Sequence, residues 1–353
     1  MGGATFTRYL KQQALLHPSM TAQDGVKLCF QAAFGAEHLL ADQEQAWTAL
    51  LAEFEQTSPQ GIEVFEAISA EYSRYNLAAW KHAKLPPEWL FQMFCHSVSA
   101  ERESAEPLFR EYLNIVTAGV NKGLLPFTSR AWREYLESYL AGGVRPVHHS
   151  APYRISEHPA YRVVKREYGK LLPVLQTLVA LSGKAEPKII AIDGRAAAGK
   201  TTVANLLSQV LKADVIRMDD FFLPMELRTE ARFAQSGGNI HYERFCREVL
   251  PHLKKNESFS YRRFDCGTMD YGESRFIQSS SWRIVEGSYS CHPAFGDYMD
   301  CRVFCEISAE EQMERIIKRN GRQMAEVFLV RWIPLEEHYF KTERLRNKAD
   351  LII

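Results

Sequence analysis

Apolar residues recur at intervals of three and four from residue 1 to about 141, and this spacing indicates helices. Thr21, followed three residues later by Asp24, is typical of a capped helix start. This part of the chain is therefore predicted to be an all-α domain. Its helices are expected within 20–51 and at about 62–71, 87–100, 104–119 and 128–140.

Glycine, proline and histidine are concentrated between Gly142 and Pro159, as in a linker. A helical pattern then covers 161–182 and is broken by Gly183. The expected organisation is a helical domain of unknown role at 1–141, a linker and connecting helix at 142–182, and a second domain at 183–353.

Short apolar runs alternate with helical patterns in the second domain. This alternation predicts an α/β fold, with a parallel sheet covered by helices on both faces and a ligand site at the carboxyl ends of the strands. Strands are expected at 188–192, 215–217, 283–285, 301–306 and 351–353, and helices at 200–211, 242–254, 309–319 and 334–346.

The first of these strands runs into the pattern G-x-x-x-x-G-K-T, the phosphate-binding loop (P-loop) of nucleotide hydrolases and kinases. The two glycines let successive backbone N–H groups point into one concavity at a helix start. Lys200 is expected to reach the β- and γ-phosphates, and the Thr201 hydroxyl to hold Mg²⁺. The predicted nucleotide-binding residues are Gly194, Arg195, Ala196, Ala197, Ala198, Gly199, Lys200, Thr201 and Thr202.

Carboxylates follow two other predicted strands. Asp219 and Asp220 come after 215–217, where they are placed for proton abstraction or Mg²⁺ binding. Glu286 ends the apolar run Arg283–Val285, which resembles a Walker-B strand. An acidic loop beside core phenylalanines is the alternative for the aspartate pair.

Arginines are concentrated near the end of the predicted helix at 309–319. Arg315 and Arg319 are four residues apart and share a helix face, and Arg322 comes three residues later. Arginines over a transferring phosphoryl group neutralise its charge. A solvated basic helix face is the alternative.

Polar residues of the first domain are expected to have structural roles. His38, beside Glu37, is interpreted as a packed helix residue, with a small cluster including Glu53 as the alternative. Arg74 lies in Arg74-Tyr75-Asn76, which is expected to form a turn or cap, with ligand contact as the alternative. His148-His149 has no cysteine or carboxylate partner nearby in the sequence, so metal binding is not expected there.

Lysine plus arginine and aspartate plus glutamate each number 43, so the net charge of zero gives no reason to expect nucleic acid as a partner. The seven cysteines include no C-x-x-C pair, which favours reduced thiols in a cytosolic protein without a zinc site. No apolar stretch approaches about 18 residues and the start lacks a signal-peptide pattern. The protein is therefore expected to be cytoplasmic, without a membrane partner, and homo-oligomerisation is left open.

Residues from about 188 to 353 resemble the uridine kinase-like branch of the P-loop nucleoside kinases. The resemblance implies a three-layer parallel sheet, ATP and Mg²⁺ as cofactors, and a small-molecule acceptor. The motifs that carry it are Asp193–Thr202, Met218–Pro224, Gly237–Phe245, Val285–Ser290 and Trp332–Pro334.

The resemblance also implies roles for single residues. Asp219 matches the acid that deprotonates the acceptor hydroxyl, and Glu286 matches the second carboxylate near Mg²⁺. Phe222 matches an aromatic near the base of the acceptor. The other implied positions are Tyr261 and Arg263 at the acceptor pocket and Arg315, Arg319 and Arg322 in a lid.

Two positions depart from the pattern. His241 stands where nucleoside kinases tend to carry an aspartate against the ribose hydroxyls, and a neutral histidine accepts only one hydrogen bond. Uridine itself is therefore in question. Ala196-Ala197-Ala198 replaces the usual serine- and glycine-rich loop centre, where only backbone N–H groups are needed.

The sequence thus predicts an ATP- and Mg²⁺-dependent phosphotransferase acting on a hydroxyl of a small metabolite, most readily a nucleoside. One alternative is a non-nucleoside acceptor such as pantothenate. Another is a nucleotide-gated ATPase or switch that acts through the helical domain.

Overall fold

The structure is a computed structural model, and it describes residues 2–35, 42–98, 102–182 and 186–353. The chain divides into two compact units, Met1–Lys170 and Leu171–Ile353. Of the predicted linker and connecting helix at 142–182, residues 142–170 belong to the first unit, in which a strand within them pairs with an earlier strand. Glu37 and His38 lie outside the described residues.

The first unit is mainly helical, as predicted, and also contains a small antiparallel sheet. The sheet consists of β1 (Phe65–Ala67), β2 (Tyr72–Asn76) and β3 (Tyr161–Lys165), in the order β1-β2-β3. Its described helices are α1 (Gly2–Leu16), α2 (Ala22–Phe34), α3 (Gln43–Gln56), α4 (Leu77–His82), α5 (Pro87–Cys95), α6 (Arg102–Asn121), α7 (Ser129–Ala141) and α8 (Ala151–Glu157).

The sheet corrects two predicted helices. The stretch predicted as a helix at 62–71 contains β1, and the stretch predicted at 161–182 begins with β3. Tyr72 pairs with Lys165 and Asn76 with Tyr161. This pairing joins residues about ninety positions apart, so the local spacing of apolar residues does not reveal it.

The second unit is built on a five-stranded parallel sheet in the order β10-β9-β4-β8-β5, which confirms the predicted fold class. An antiparallel hairpin that the sequence does not predict, β6–β7, forms a separate two-stranded sheet. The strands are β4 (Lys188–Gly194), β5 (Val215–Arg217), β6 (Phe259–Asp265), β7 (Asp270–Ile277), β8 (Trp282–Glu286), β9 (Cys301–Cys305) and β10 (Leu351–Ile352).

Helices separate these strands along the sequence. A non-helical residue, Gly321, interrupts the long helix α13 at φ 80° and ψ 165°. The described helices are α9 (Leu172–Leu178), α10 (Lys200–Leu211), α11 (Glu230–Phe233), α12 (Tyr242–Glu248), α13 (Ala309–Val327), α14 (Ile333–Glu343) and α15 (Leu345–Lys348).

The central strand β4 is buried along its whole length, because its side chains pack under both layers of the unit. In the parallel register, Ile192 pairs with Glu286 of β8, Arg217 of β5 pairs with the same Glu286, and Gly194 pairs with Cys305 of β9. The carboxyl ends of four strands therefore meet at one edge. Among the described helices, none has the length and apolarity to span a bilayer.

Candidate active site

The loop after β4 has the conformation that its glycines predict. Gly194 lies at φ +131°, and a Cβ atom there would be 2.1 Å from the carbonyl oxygen of Cys305. Gly199 lies at φ +94° with open space around it, directly before α10 begins at Lys200. The first N–H groups of α10 have no partner within the helix, so they are available to an anion.

Lys200 is held inside the curve of the loop. Its ammonium group donates to the carbonyl oxygens of Gly194 at 2.6 Å and Arg195 at 2.8 Å, and to the Ser288 hydroxyl at 3.1 Å. These contacts fix the positive charge at the place where the loop would receive phosphate groups.

The other members of the predicted loop have different partners. The Arg195 guanidinium forms a two-point ion pair with Glu337 at 2.7 and 3.2 Å, so this side chain serves the packing of α14. Its backbone N–H donates to Cys305, and the Ala198 N–H donates back to Arg195. The Ala196 N–H donates to a carboxylate oxygen of Glu336 at 3.0 Å.

Glu286 and Thr201 lie side by side. The Thr201 hydroxyl donates to Glu286 Oε1 at 3.0 Å, and Arg217 donates to Glu286 Oε2 at 2.9 Å. Burial is the main cause that raises the pKa of Glu286, and the nearby Asp219 adds to it, whereas Thr201, Arg217 and Lys200 oppose the shift. The carboxylate therefore sits among groups that can also bind a cation or a phosphate.

Asp219 extends from the short turn after β5 into the same space. Its side chain is in contact with solvent in the cavity, yet the surrounding walls raise the pKa of its carboxyl group, while Lys200 lowers it in part. Within the described part of the chain, no residue donates a hydrogen bond to Asp219. The carboxylate is thus free to accept a proton from an incoming hydroxyl.

Two of the three predicted lid arginines reach this space. Arg315 donates to the Ala197 carbonyl oxygen at 3.1 Å, and Arg319 lies one helical turn further on with its guanidinium 5.9 Å from the Phe328 ring. Arg322 is exposed and does not line the cavity. The non-helical backbone at Gly321 breaks the helical register between Arg319 and Arg322, which the spacing of these residues alone does not show.

These residues line one cavity of about 670 Å³ at the carboxyl edge of the sheet. It brings together the loop, the predicted carboxylates Asp219 and Glu286, Phe222 and two arginines. Of the predicted site residues, its walls include Ala196, Ala197, Gly199, Lys200, Thr201, Thr202, Asp219, Phe222, Glu286, Arg315 and Arg319.

Tyr261 and Arg263 are not among the residues that line it. The Tyr261 hydroxyl donates to Asp220 Oδ2 at 2.8 Å, and Arg263 lies 3.6 Å from Asp220 Oδ1. Arg275 also donates to Asp220, at 3.2 Å. Asp220 therefore anchors the β6–β7 hairpin behind the cavity, and Tyr261 and Arg263 contribute to that anchor.

His241 also lies outside the cavity. His241 immediately precedes α12. Its Nδ1 is 3.1 Å from Glu243, and its backbone N–H donates to the carbonyl oxygen of Phe221. Asn239 and Ile240, just before it, form the wall instead. Asn239 is 5% exposed and its side-chain oxygen has no partner in the described structure, so it is ready to accept a hydrogen bond.

Sequence reasoning gave no site role to Asn239, Ser288 or Glu336. Glu336 accepts from the Ser288 hydroxyl at 2.6 Å as well as from the loop, and burial raises the pKa of its carboxyl group. Asn239 and Ser288 stand in the motifs quoted above, which is the one available signal. Glu336 stands two residues beyond Trp332–Pro334, and only the packing of α14 against the loop reveals its contact.

The second unit has a five-stranded parallel sheet with a buried central strand. That strand leads through a loop with two positive-φ glycines into a helix that starts at the lysine. The second unit is a P-loop fold. The sheet order places β4 between β8 and β9, so the loop after β4 lies where the strand order reverses, which is the usual ligand position in such sheets.

No protein-family model and no curated protein matches the chain. Solved structures match about half of it. A possible uridine kinase from Bacillus stearothermophilus is 21% identical, with 53% of this chain and 99% of that chain covered and a TM-score of 0.42. A possible fructose transport system kinase from Silicibacter sp. TM1040 is 21% identical, with 49% of this chain and 92% of that chain covered and a TM-score of 0.39.

The third comparison is with a D-glycerate 3-kinase from Cryptococcus neoformans var. grubii, 15% identical, with 48% of this chain and 85% of that chain covered and a TM-score of 0.35. All three are described as kinases. At these identities the similarity concerns the fold alone, and the chemistry is argued below from this chain's own residues.

The site contains suitable ligands for a hard cation. Mg²⁺ prefers oxygen ligands and usually takes one or two carboxylates, with the remaining positions filled by water and phosphate. Thr201, Glu286 and Asp219 supply three such oxygen-bearing side chains in one cavity. Among the described residues, no group of three or more His, Cys, Asp and Glu side chains forms a metal cluster.

Proposed function

We propose that this protein is an ATP- and Mg²⁺-dependent kinase that phosphorylates a hydroxyl group of a small metabolite. The observation that carries the proposal is the convergence, in one cavity, of the loop lysine, two carboxylates and two arginines. A phosphate-binding loop alone fits many nucleotide-binding proteins. An unbonded carboxylate beside that loop fits transfer to an acceptor hydroxyl.

The residues have separate tasks in this proposal. Lys200 and the N–H groups at the start of α10 hold phosphate oxygens. Thr201 and Glu286 would hold Mg²⁺, which supplies positive charge to the phosphate groups when it is bound with ATP. Asp219 accepts the proton of the acceptor hydroxyl, and Arg315 and Arg319 stabilise the charge of the transferring group.

We further propose a nucleoside or a similar ring-bearing alcohol as the acceptor. Phe222 and Trp332 place aromatic side chains in the cavity wall, and Asn239 of the same wall has a buried side-chain oxygen with no partner among the described residues. Stacking on an aromatic ring together with a side-chain amide contact suits a planar base. His241 is withdrawn from the cavity, so it does not decide which sugar is accepted.

The test is ADP release with ATP and Mg²⁺ over a panel of nucleosides, nicotinamide riboside, pantothenate and sugars. One acceptor should raise ADP release at least about a hundredfold, and Asp219→Asn should remove about 10²–10⁴-fold of that rate because the proton acceptor is lost. Asp297→Asn is the matched control, since this carboxylate is 93% exposed and outside the cavity.

A flat panel with slow, acceptor-independent hydrolysis would refute the kinase proposal and favour the nucleotide-gated switch. An active acceptor with full rate in Asp219→Asn would leave a kinase but remove Asp219 as the base. An active non-nucleoside alone would keep the kinase and overturn the acceptor class.

A further inference from the structure

A second cavity, of about 560 Å³, lies within the first unit. Residues of α1, the segment before β1, β2 and the start of α4 form its walls, and Tyr161 of β3 completes it. Small-molecule sites usually have volumes of roughly 300–1,000 Å³. The cavity is therefore large enough for a metabolite, and the proposed kinase chemistry does not use it.

An arginine without a direct counter-ion lines this cavity. Arg74 is 4% exposed, and its guanidinium donates to Gln13 Oε1 at 3.2 Å and Gln31 Oε1 at 2.7 Å. These bonds use two of the five N–H groups of a guanidinium, and Nε has no partner. Among the described residues, no carboxylate oxygen lies within 4.0 Å of it. Buried charges are normally paired. Glu66 acts on this charge only from beyond ion-pair distance, so the guanidinium can still attract an anionic group.

A chain of hydrogen bonds holds the arginine in place. Arg74 donates to Gln31, whose amide donates to the Tyr161 oxygen at 3.2 Å. Tyr161 lies 2.6 Å from His149 Nε2, and His149 Nδ1 lies 2.8 Å from Asp24. Burial lowers the pKa of His149 to about 4, so the ring is neutral at neutral pH, donates from Nδ1 and accepts from Tyr161 at Nε2.

The negative end of this chain is already satisfied. Asp24 is fully buried and accepts four further hydrogen bonds, from the backbone N–H and the hydroxyl of both Thr21 and Ser150. Its carboxylate is separated from Arg74 by three neutral side chains. The chain therefore fixes the orientation of Arg74 without neutralising it directly.

Acidic groups line the same cavity as Arg74. Glu66 lies opposite Arg74 in the backbone register of β1 and β2, and Glu63 lies at the cavity wall just before β1. The Tyr9 hydroxyl, buried and without a partner, belongs to a ring 5.4 Å from the guanidinium. A phosphate dianion would meet Arg74 but would be repelled by both glutamates. A molecule with one carboxylate and one ammonium group would be complementary to both sets of charges.

We propose that this cavity binds a small zwitterion, an amino acid or a close relative, with its carboxylate on Arg74 and its ammonium group toward Glu66 and Glu63. The second unit is not needed for this interaction. Its success or failure is therefore separate from that of the proposed kinase function.

The test is calorimetry and thermal unfolding of the full-length protein with glycine, leucine, phenylalanine, glutamate and lysine as separate probes. Acetate, ethylamine and inorganic phosphate are the single-charge and phosphate controls. At least one amino acid should bind and raise the melting temperature, and none of the three controls should do so. Arg74→Gln and Glu66→Gln should each weaken binding at least about tenfold, because each leaves one ligand charge unpaired.

Arg166→Gln is the matched control, because Arg166 is an exposed arginine of the same unit outside the cavity, and it should bind normally. If Arg74→Gln does not fold, Glu66→Gln still reports on the cavity. Lys200→Ala should keep amino-acid binding, since it alters only the second unit. No amino-acid binding to the folded protein, equal binding by Glu66→Gln, or tight binding of phosphate instead would each overturn the proposal.

Discussion

The close approach of Gly194 to β9 permits a quantitative test of the loop. Replacing it by alanine puts a Cβ atom 2.1 Å from the carbonyl oxygen and 2.7 Å from the nitrogen of Cys305, both backbone atoms of the neighbouring strand β9. The substitution also forces φ +131° on a residue that strongly disfavours it. The backbone strain and the crowding against Cys305 have different causes, so a second variant can separate their costs.

Backbone strain of this kind costs roughly 1–3 kcal/mol, and overpacking a well-packed core costs roughly another 1–3 kcal/mol. Gly194→Ala should therefore lower the free energy of unfolding by about 2–6 kcal/mol. Gly199→Ala is the matched control, since Gly199 has φ +94° but its Cβ would meet nothing within 4 Å, so only the strain of roughly 1–3 kcal/mol applies. The reduced freedom of the unfolded chain affects both variants alike and cancels in the difference.

The assay is urea unfolding of the full-length variants, read by hydrogen exchange and mass spectrometry of peptides covering β4 and β9. Peptides from the first unit serve as an internal reference. With a denaturant slope of about 2 kcal/mol per molar urea, the midpoint of Gly194→Ala should lie roughly 0.5–1.5 M below that of Gly199→Ala. Equal midpoints would show that β9 does not crowd Gly194, and the argument for the loop's curvature would be lost.

Three further outcomes are expected. Because Asp219 acts as a base only when deprotonated and its pKa is raised, the rate of acceptor-dependent turnover should fall on acidification with an apparent pKa above the usual carboxyl value of 3.8. A pH–rate profile without this fall would contradict the role of Asp219. Arg315→Ala should reduce kcat at least about a hundredfold, whereas Arg322→Ala, which alters an exposed side chain, should keep a kcat near that of the wild type. Equal rates of the two variants in single-turnover assays would show that Arg315 has no role in the site. The pKa of His149 is about 4 in the folded protein against an ordinary 6.5, so the unfolded chain binds more protons between these two pH values. The stability that the neutral ring contributes is therefore complete above pH 6.5 and falls by about 3 kcal/mol toward pH 4. Denaturant unfolding of the first unit should show this pH dependence, and the same dependence in a His149→Gln variant would refute it.

Local patterns were sufficient for the parallel sheet and the loop. A buried apolar run, glycines at fixed positions and a lysine at a helix start are all neighbours in the chain, and parallel strands bring their carboxyl ends to one edge. Lys200, Thr201, Asp219 and Glu286 could therefore be placed together in advance. The five strands were predicted close to their observed bounds for the same reason.

Distant contacts could not be read in this way. The antiparallel sheet of the first unit joins β2 to β3 over about ninety residues, whereas the local spacing of apolar residues predicts a helix where β3 lies. The single backbone turn at Gly321 moves Arg322 off the face that its spacing predicts. The sequence predicts a turn or cap at Arg74, whereas this residue lies on β2 and is buried against partners from α1 and α2.

The sequence by itself thus determined the phosphate loop, its strand and helix, and the acidic ends of the neighbouring strands, since each depends on residues close together in the chain. The tertiary structure alone decided that Glu336 contacts the loop, that Asn239 rather than His241 lines the cavity, and that Arg74 has no carboxylate within 4.0 Å among the described residues. These features depend on which helices and strands pack together. Packing is set by the burial of whole surfaces and leaves no local spacing from which it can be read.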